Sequence, residues 1–416
     1  MTRSDLNIGR EMARLRTFAT NLGLKVLAVA IILGAVEAAL AITKFNTPDT
    51  LRYIQGKGVT HIPHAYYRHT KEGFSEGYYN SHGFRDYERT LEKPPGVFRI
   101  LVLGDSYTEA LQVQLEESFT ALLEKALNEQ PSDTRFEVLS LGHGGFGTAE
   151  ELVRYLNFGR AFNPDLVVVA FTTRNDFLDN SKFLSREAAG FYYAFDHNRK
   201  LVLDRSLIDA YDRSLTFPKR IFQELKTKSH LLALISERIY LLRRQLLETR
   251  TEEAYGDAQS AVDEKPKGLS LFSDLNIYRR DLPPPWKEAV EITKEILLEF
   301  KRSVEEQGDR FLLVGLSGAP QVHHQLGNRL KNQYRIEFDY EQPDGILEEF
   351  ARENGVWFLK LMPTFRDYHL KTGVYLHGFG GPSEEGHWNQ AGHRLAAEEI
   401  YKFLKENRLV PVHGGK

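Results

Sequence analysis

Residues 22–42 are almost wholly apolar, interrupted only by Lys25 near the start and Glu37 near the end. A helix needs about 20 apolar residues to cross the hydrocarbon core of a bilayer, so this stretch is just long enough. Ahead of it Arg3, Arg10, Arg14 and Arg16 stand against Asp5 and Glu11. Positive charge is retained on the cytoplasmic side, which predicts a cytoplasmic arm over 1–21, an anchor over 22–42 and export of everything beyond Thr43. Ala39-Leu40-Ala41 also resembles a signal-peptide cleavage site, an alternative that exports the domain equally. The long charged lead and Glu37 favour an uncleaved, single-pass anchor, with the domain periplasmic or extracellular.

Residues 43–97 read as an extended leader rich in Tyr, His and Gly, ending at Pro94-Pro95-Gly96. The pattern then changes. Short apolar runs rich in branched residues, at 99–103, 137–141, 166–171, 310–316 and 356–361, read as buried parallel strands. Helical stretches at 108–130, 148–159, 286–307, 345–354 and 391–406 lie between or after them. This alternation predicts an α/β domain over 98–410, with a five-stranded parallel sheet and helices on both faces. The interval from about 180 to 284 is too long for a connection and reads as an insertion. Within it, 191–195 and 200–203 flank a hairpin turn, and 229–249 is an amphipathic helix with Leu231, Leu232, Ile235, Ile239 and Leu242 on one stripe. Residues 252–267 are polar and expected to be mobile. The insertion is a cap over the carboxyl edge of the sheet or a partner-docking surface.

Composition narrows the chemistry. The chain has 416 residues and a net charge of −3, without the basic excess of a nucleic-acid binder. It contains no cysteine, which excludes disulfides, thiolate metal sites and a cysteine nucleophile. His61, His64, His69 and the His323-His324 pair lack a convincing ligand set, so no metal or other cofactor is expected.

Sites in open α/β sheets form beyond the carboxyl ends of the strands, and three of these strands end in polar turns. The first is Gly104-Asp105-Ser106-Tyr107-Thr108. A serine there presents its hydroxyl above the sheet as a nucleophile, or serves as a helix N-cap. The turn does not fit the G-x-S-x-G elbow. The second turn runs from Gly142 to Gly147 and formally contains G-x-G-x-x-G. A dinucleotide site needs an acidic end to the next strand, which instead closes on Phe171-Thr172-Thr173. Its glycines are suited to offering backbone N–H groups to an oxyanion. The third is Thr173-Arg174-Asn175-Asp176, where Asn175 is a neutral amide donor or a turn former. Near the C-terminus, Glu384-Glu385-Gly386-His387-Trp388-Asn389 places His387 on a loop, with Asn389 able to cap the following helix. His387 is a general base if Glu384 or Glu385 holds its tautomer, and otherwise a surface histidine. His393, inside that helix, reads as structural.

Taken together, these blocks resemble the SGNH (GDSL) hydrolase family. Gly104-Asp105-Ser106 matches its nucleophile block, Leu141 to Gly145 its glycine block, Thr173-Arg174-Asn175-Asp176 its G-x-N-D block with Thr173 in place of glycine, and His387-Trp388-Asn389 its last block. Asn80 to Asp86 is similar to a lead-in of membrane-anchored members. The resemblance covers about residues 98–404 and implies a three-layer, flavodoxin-like fold. It also implies Ser106 as nucleophile, His387 as base, and Ser106, Gly145 and Asn175 as the oxyanion hole. The family's D-x-x-H spacing falls on Glu384 and a D-x-H variant on Glu385, of which Glu385 is preferred. The implied activity is hydrolysis of acyl esters, O-acetyl or short-chain, through an acyl-serine, without cofactor. O-acyl transfer to an envelope glycan and a non-catalytic scaffold role in an envelope glycan complex are the alternatives. The partners expected are an acyl-ester substrate, which could be a glycan, and the membrane.

Overall fold

The computed structural model describes residues 3–129, 133–185, 189–259, 269–380 and 385–411. Five strands form its parallel sheet: β1 (Val97–Gly104), β2 (Arg135–Ser140), β3 (Leu166–Thr172), β4 (Arg310–Leu316) and β5 (Trp357–Lys360). Their spatial order is β5-β4-β3-β1-β2. Read from the other edge this is 2-1-3-4-5, the flavodoxin-like order of doubly wound sheets. The expected fold class is therefore met in strand number, direction and order.

The central strand explains why its apolar run is unbroken. All seven residues of β3 are buried, because helices cover both faces of a parallel sheet. Side chains still alternate between the two cores. Leu101, Leu103, Val167, Val169 and Phe171 enter one core, beneath helices Thr148–Asn157 and Pro284–Glu305. Ile100, Val102, Leu166, Val168 and Ala170 enter the other, beneath Phe119–Asn128 and Gln390–Glu406.

The single helix expected over 108–130 is broken. A one-turn helix, Ser106–Glu109, ends at Ala110 in left-handed geometry (φ 57°), and after a 3-10 turn at Leu115–Glu117 the chain re-enters an α-helix only at Phe119. Ser118 caps that second start by accepting from Ala121 N–H. Helices Ala319–Val322, His324–Tyr334 and Met362–Thr372 had no counterpart in the expected pattern.

The leader is folded. Leu51–Ile54 pairs antiparallel with Gly58–His61, and Tyr66–His69 with Ser75–Tyr78. Arg85 ties it to the segment after β1. Its buried guanidinium donates to Tyr67 Oη (2.8 Å), Glu109 O (2.9 Å) and Val113 O (2.5 Å). Phe84 joins the core beneath Thr148–Asn157. Leader and sheet thus share a core.

The chain divides into two compact units, one of residues 1–50 and 217–245, the other of 51–216 and 246–416. The insertion is therefore not one piece. Its hairpin, Tyr192–Phe195 with Leu201–Asp204, belongs with the sheet, and Tyr193 is buried in the core that holds Val290 and Ile292. Its helix Phe217–Lys226 and the first half of His230–Gln259 belong with the N-terminal helix. Of the polar stretch expected to be mobile, 252–259 is helical and the part from 260 lies outside the described residues. The N-terminal helix, Arg3–Thr43, contains a segment, Arg14–Thr43, long and apolar enough to cross a membrane, a property that a signal sequence shares.

Candidate active site

β1 delivers Ser106 to the carboxyl edge of the sheet. The N-cap of the short helix that follows is Asp105, whose carboxylate accepts from Tyr107 N–H at 2.9 Å. Asp105 is fixed further by Thr172 Oγ1 (2.9 Å) and Asn175 Nδ2 (3.0 Å). The capping role that could have occupied Ser106 is thus filled by its neighbour, and the serine hydroxyl is available. Ser106 Oγ lies 2.8 Å from His387 Nε2, across 281 residues of sequence.

The other ring nitrogen of His387 is held by Glu72. His387 Nδ1 lies 2.6 Å from Glu72 Oε2, and His387 N–H donates to Glu72 Oε1, also at 2.6 Å. One carboxylate therefore grips both ring and backbone. With Nδ1 donating to a carboxylate, Nε2 carries the lone pair and accepts from the Ser106 hydroxyl. Burial acts to raise the Glu72 pKa, but the hydrogen bonds and charge of His387, with a smaller contribution from His69, outweigh it. The carboxyl sits below its ordinary value and stays ionised.

This corrects the expected acid. Glu385 is exposed and pairs with Arg329, 3.2 Å away, while both sites on His387 that it would have served are filled by Glu72. Glu384 lies outside the described residues. Glu72 comes from the turn between strands Tyr66–His69 and Ser75–Tyr78. That turn is docked beside Ser106 by Phe74 N–H on Gln112 O (3.1 Å) and Ser75 Oγ on Leu111 O (2.5 Å). The only local signal was an acidic residue in a Gly-containing hairpin turn, which is common on protein surfaces.

The histidine loop is shaped for this contact. Fully buried Trp388 packs edge-on to Tyr107, whose ring lies 4.9 Å from that of His387 and whose hydroxyl donates to Gly386 O. Asn389 caps Gln390–Glu406, accepting from Ala391 and Gly392 N–H as the sequence suggested. Gly386 has φ +104°, and a Cβ there would stand 1.9 Å from Glu72 Oε1. Only glycine fits. Gly386→Ala is expected to push Glu72 off His387 and lower ester turnover by roughly 10²-fold, the usual consequence of an ångström-scale misplacement. Far-UV circular dichroism should stay unchanged; wild-type turnover in the variant would contradict the contact.

The glycine turn lies against helix Ser106–Glu109. A Cβ on Gly142 would meet Glu109 N at 2.4 Å, and one on Gly144 would come within 3.7 Å of Ser106 Cβ. Gly144 N–H donates to Glu109 Oε2 (2.7 Å), and His61 Nε2 stands 2.9 Å from Glu109 Oε1. Burial opposes ionisation of Glu109, but His61, His143 and the Gly144 N–H hold its carboxyl well below the usual range. Gly145 follows at φ +80°, exposed. Among the described residues, the N–H groups of Ser106 and Gly145 have no hydrogen-bond acceptor.

Asn175 is where the third turn placed it, but its amide is engaged. Nδ2 donates to Asp105 Oδ2 (3.0 Å) and Asp179 Oδ2 (2.8 Å). The free donor expected from the sequence is thus occupied by two carboxylates. Burial raises the pKa of Asp105, a shift that Asn175 and Tyr107 N–H oppose. Thr173 is fully buried with its hydroxyl 2.8 Å from Leu316 O and 2.7 Å from Gln321 Oε1, so its hydroxyl is not left unpaired. His393 is buried and stacked on Phe119; burial, with Arg85 and His387 nearby, lowers its pKa to about 3 and keeps it neutral. His323 and His377 share a hydrogen bond at 3.1 Å. Among the described residues no group of three or more His, Asp or Glu is arranged to hold a metal.

No family model matches the chain, and no curated protein does. Among solved structures it is similar to the acetyl xylan esterase AlAXEase, with 12% identity and a TM-score of 0.38 over 73% of this chain and 98% of that one. It is similar to TesA, with 14% identity and a TM-score of 0.37 over 75% and 99%. It is similar also to Axe2, an acetylxylan esterase from Geobacillus stearothermophilus, with 13% identity and a TM-score of 0.37 over 74% and 94%. These are likenesses of fold.

Proposed function

We propose that this chain is a membrane-anchored serine hydrolase of the SGNH type that cleaves acyl esters outside the cytoplasm. The observation that carries the reading is the continuous line from Ser106 Oγ through His387 to Glu72, with contacts of 2.8 and 2.6 Å. A serine, a histidine of fixed tautomer and an ionised carboxylate in that order are the parts of a nucleophilic acyl-transfer site.

In the proposed reaction Ser106 Oγ attacks the ester carbonyl carbon while its proton passes to His387 Nε2. Glu72 stabilises the imidazolium that forms. Negative charge builds on the former carbonyl oxygen, and the Ser106 and Gly145 N–H groups supply donors for it. Asn175 joins them by exchanging its bond to Asp179 for one to the oxyanion. Each such donor is worth about 3 kcal/mol of barrier in a water-poor site. On collapse the alcohol leaves with the proton from His387, giving acyl-Ser106. Water then attacks that ester, with His387 again taking and returning a proton, and the carboxylic acid departs.

The test supplies the purified exported domain with p-nitrophenyl acetate, with and without an oligosaccharide acceptor. Free acetate should form at the same rate in both. Acetyl transfer that requires the acceptor would assign an O-acyltransferase, and no turnover in either would favour the scaffold reading.

A further inference from the structure

A charge inside an apolar helix needs partners, and Glu37 has three. Its carboxylate accepts from Ser229 Oγ (2.8 Å), His230 N–H (2.7 Å) and Leu231 N–H (2.9 Å), so it caps the N-terminus of helix His230–Gln259. The junction is tied down again just beyond the apolar helix. Asn46 Nδ2 donates to His230 O, His230 Nδ1 bonds Asn46 O, Asp49 N–H donates to Lys226 O, and Lys226 pairs with the Asp49 carboxylate. Glu37 lies five residues before Ile42, the last apolar residue of the span. At a rise of 1.5 Å per residue the junction therefore meets the span about 8 Å short of its end. That is the depth at which amphipathic helices lie in a bilayer, about 5–10 Å into the boundary between headgroups and acyl chains.

The two helices at this junction have the matching chemistry. In Phe217–Lys226 the apolar residues Phe217, Ile221, Phe222 and Leu225 fall on one face, with Lys219, Arg220, Gln223 and Lys226 opposite. Phe217 is 76% exposed and the other three also remain outside any core. In the next helix Ile235, Ile239, Tyr240, Leu241 and Leu242 are likewise exposed. Residues 217–245 carry seven Lys and Arg against two Glu, in a chain whose net charge is −3. A water-facing patch of this size is costly, and large apolar patches rimmed by charge mark interaction surfaces.

We infer that helix Phe217–Lys226 and the first half of His230–Gln259 lie in the bilayer interface, apolar faces in the acyl chains and basic residues among anionic headgroups. Glu37 fixes their depth against the anchor. The inference rests on the anchor reading given above and adds a second, in-plane attachment. A second attachment restricts how the chain stands on the membrane, which a single spanning helix does not do.

The chain's lack of cysteine makes the test direct. Full-length protein carrying one of Leu33→Cys, Phe222→Cys, Ile239→Cys or Lys219→Cys is labelled with an environment-sensitive nitrobenzoxadiazole dye. It is then placed in nanodiscs of phosphatidylethanolamine and phosphatidylglycerol. Labels at 33, 222 and 239 should emit at shorter wavelength than the label at 219. Brominated acyl chains should quench them at least about twofold more, as expected for side chains in the hydrocarbon boundary. If 33 is quenched by bromolipid while 222 and 239 respond to aqueous iodide, the anchor stands and the in-plane attachment is overturned. If 33 is not quenched, the anchor reading fails and this inference with it. If 222 and 239 are shielded from both quenchers, a protein covers the face and the inference is again overturned.

Discussion

Ser106→Ala is expected to lower kcat for a short acyl ester by roughly 10⁴-fold or more, with little change in thermal stability. The size of the effect follows from the chemistry: without the hydroxyl no acyl-enzyme forms, and only binding and the oxyanion donors remain to assist direct attack by water. Stability should be spared because Asp105, not Ser106, caps the helix that carries the nucleophile. His387 would lose one hydrogen bond, to a side chain that is itself partly exposed. Steady-state hydrolysis of p-nitrophenyl acetate by wild-type and variant protein measures the ratio. A ratio near one would remove Ser106 from the reaction.

Glu72→Gln is expected to cost roughly 10³- to 10⁴-fold in kcat, because a neutral amide neither fixes the Nδ1–H tautomer nor stabilises the imidazolium. The loss should fall on kcat rather than KM, since Glu72 contacts His387 and no substrate atom is required to touch it. Glu385→Gln provides the contrast. Its carboxylate is exposed and faces Arg329, so turnover should stay within about twofold of wild type, as for most surface substitutions. The pair of variants separates two candidate acids. Equal losses at 72 and 385, or a larger one at 385, would contradict the geometry.

The difference between these two glutamates shows what a linear chain discloses. Ser106 and His387, whose side chains meet, stand out in the sequence because each sits in a short block whose local consequence is plain: a polar turn after an apolar strand, and a loop ahead of an Asn-capped helix. Glu72 was not legible, because it approaches His387 from 315 positions upstream. Spacing rules such as D-x-x-H search only next to the histidine. The clue lay in a second residue, Gly386, whose lack of a side chain makes room for a carboxylate that its own neighbours do not supply. Asn175 differs in the opposite way. Its position was read correctly, but the carboxylates of Asp105 and Asp179 that claim its amide were visible only in three dimensions.

The sheet was the most readable part, since a parallel strand covered on both faces must be written in apolar residues, as β3 is throughout. Its order was not in the pattern and came from the resemblance. Helix continuity was harder. Residues 108–130 carry adequate helical composition, yet Ala110 takes a left-handed conformation where the chain turns away from the nucleophile. The hairpins of the leader are not visible in its sequence because strands of four residues leave little periodicity. Its folding onto the sheet depends on single buried contacts such as Arg85. The apolar helix is visible from length and composition alone, whereas the capping contact of Glu37 needs the helix that begins beside Ser229, 192 residues away.

The reactivity of the Ser106 hydroxyl is tested most directly by treating the purified protein with a fluorophosphonate and mapping the adduct by peptide mass spectrometry. One phosphonyl group on the peptide containing Ser106, formed in parallel with loss of esterase activity, is the expected result. An adduct confined to another residue, or full activity retained with Ser106 unmodified, would contradict the site.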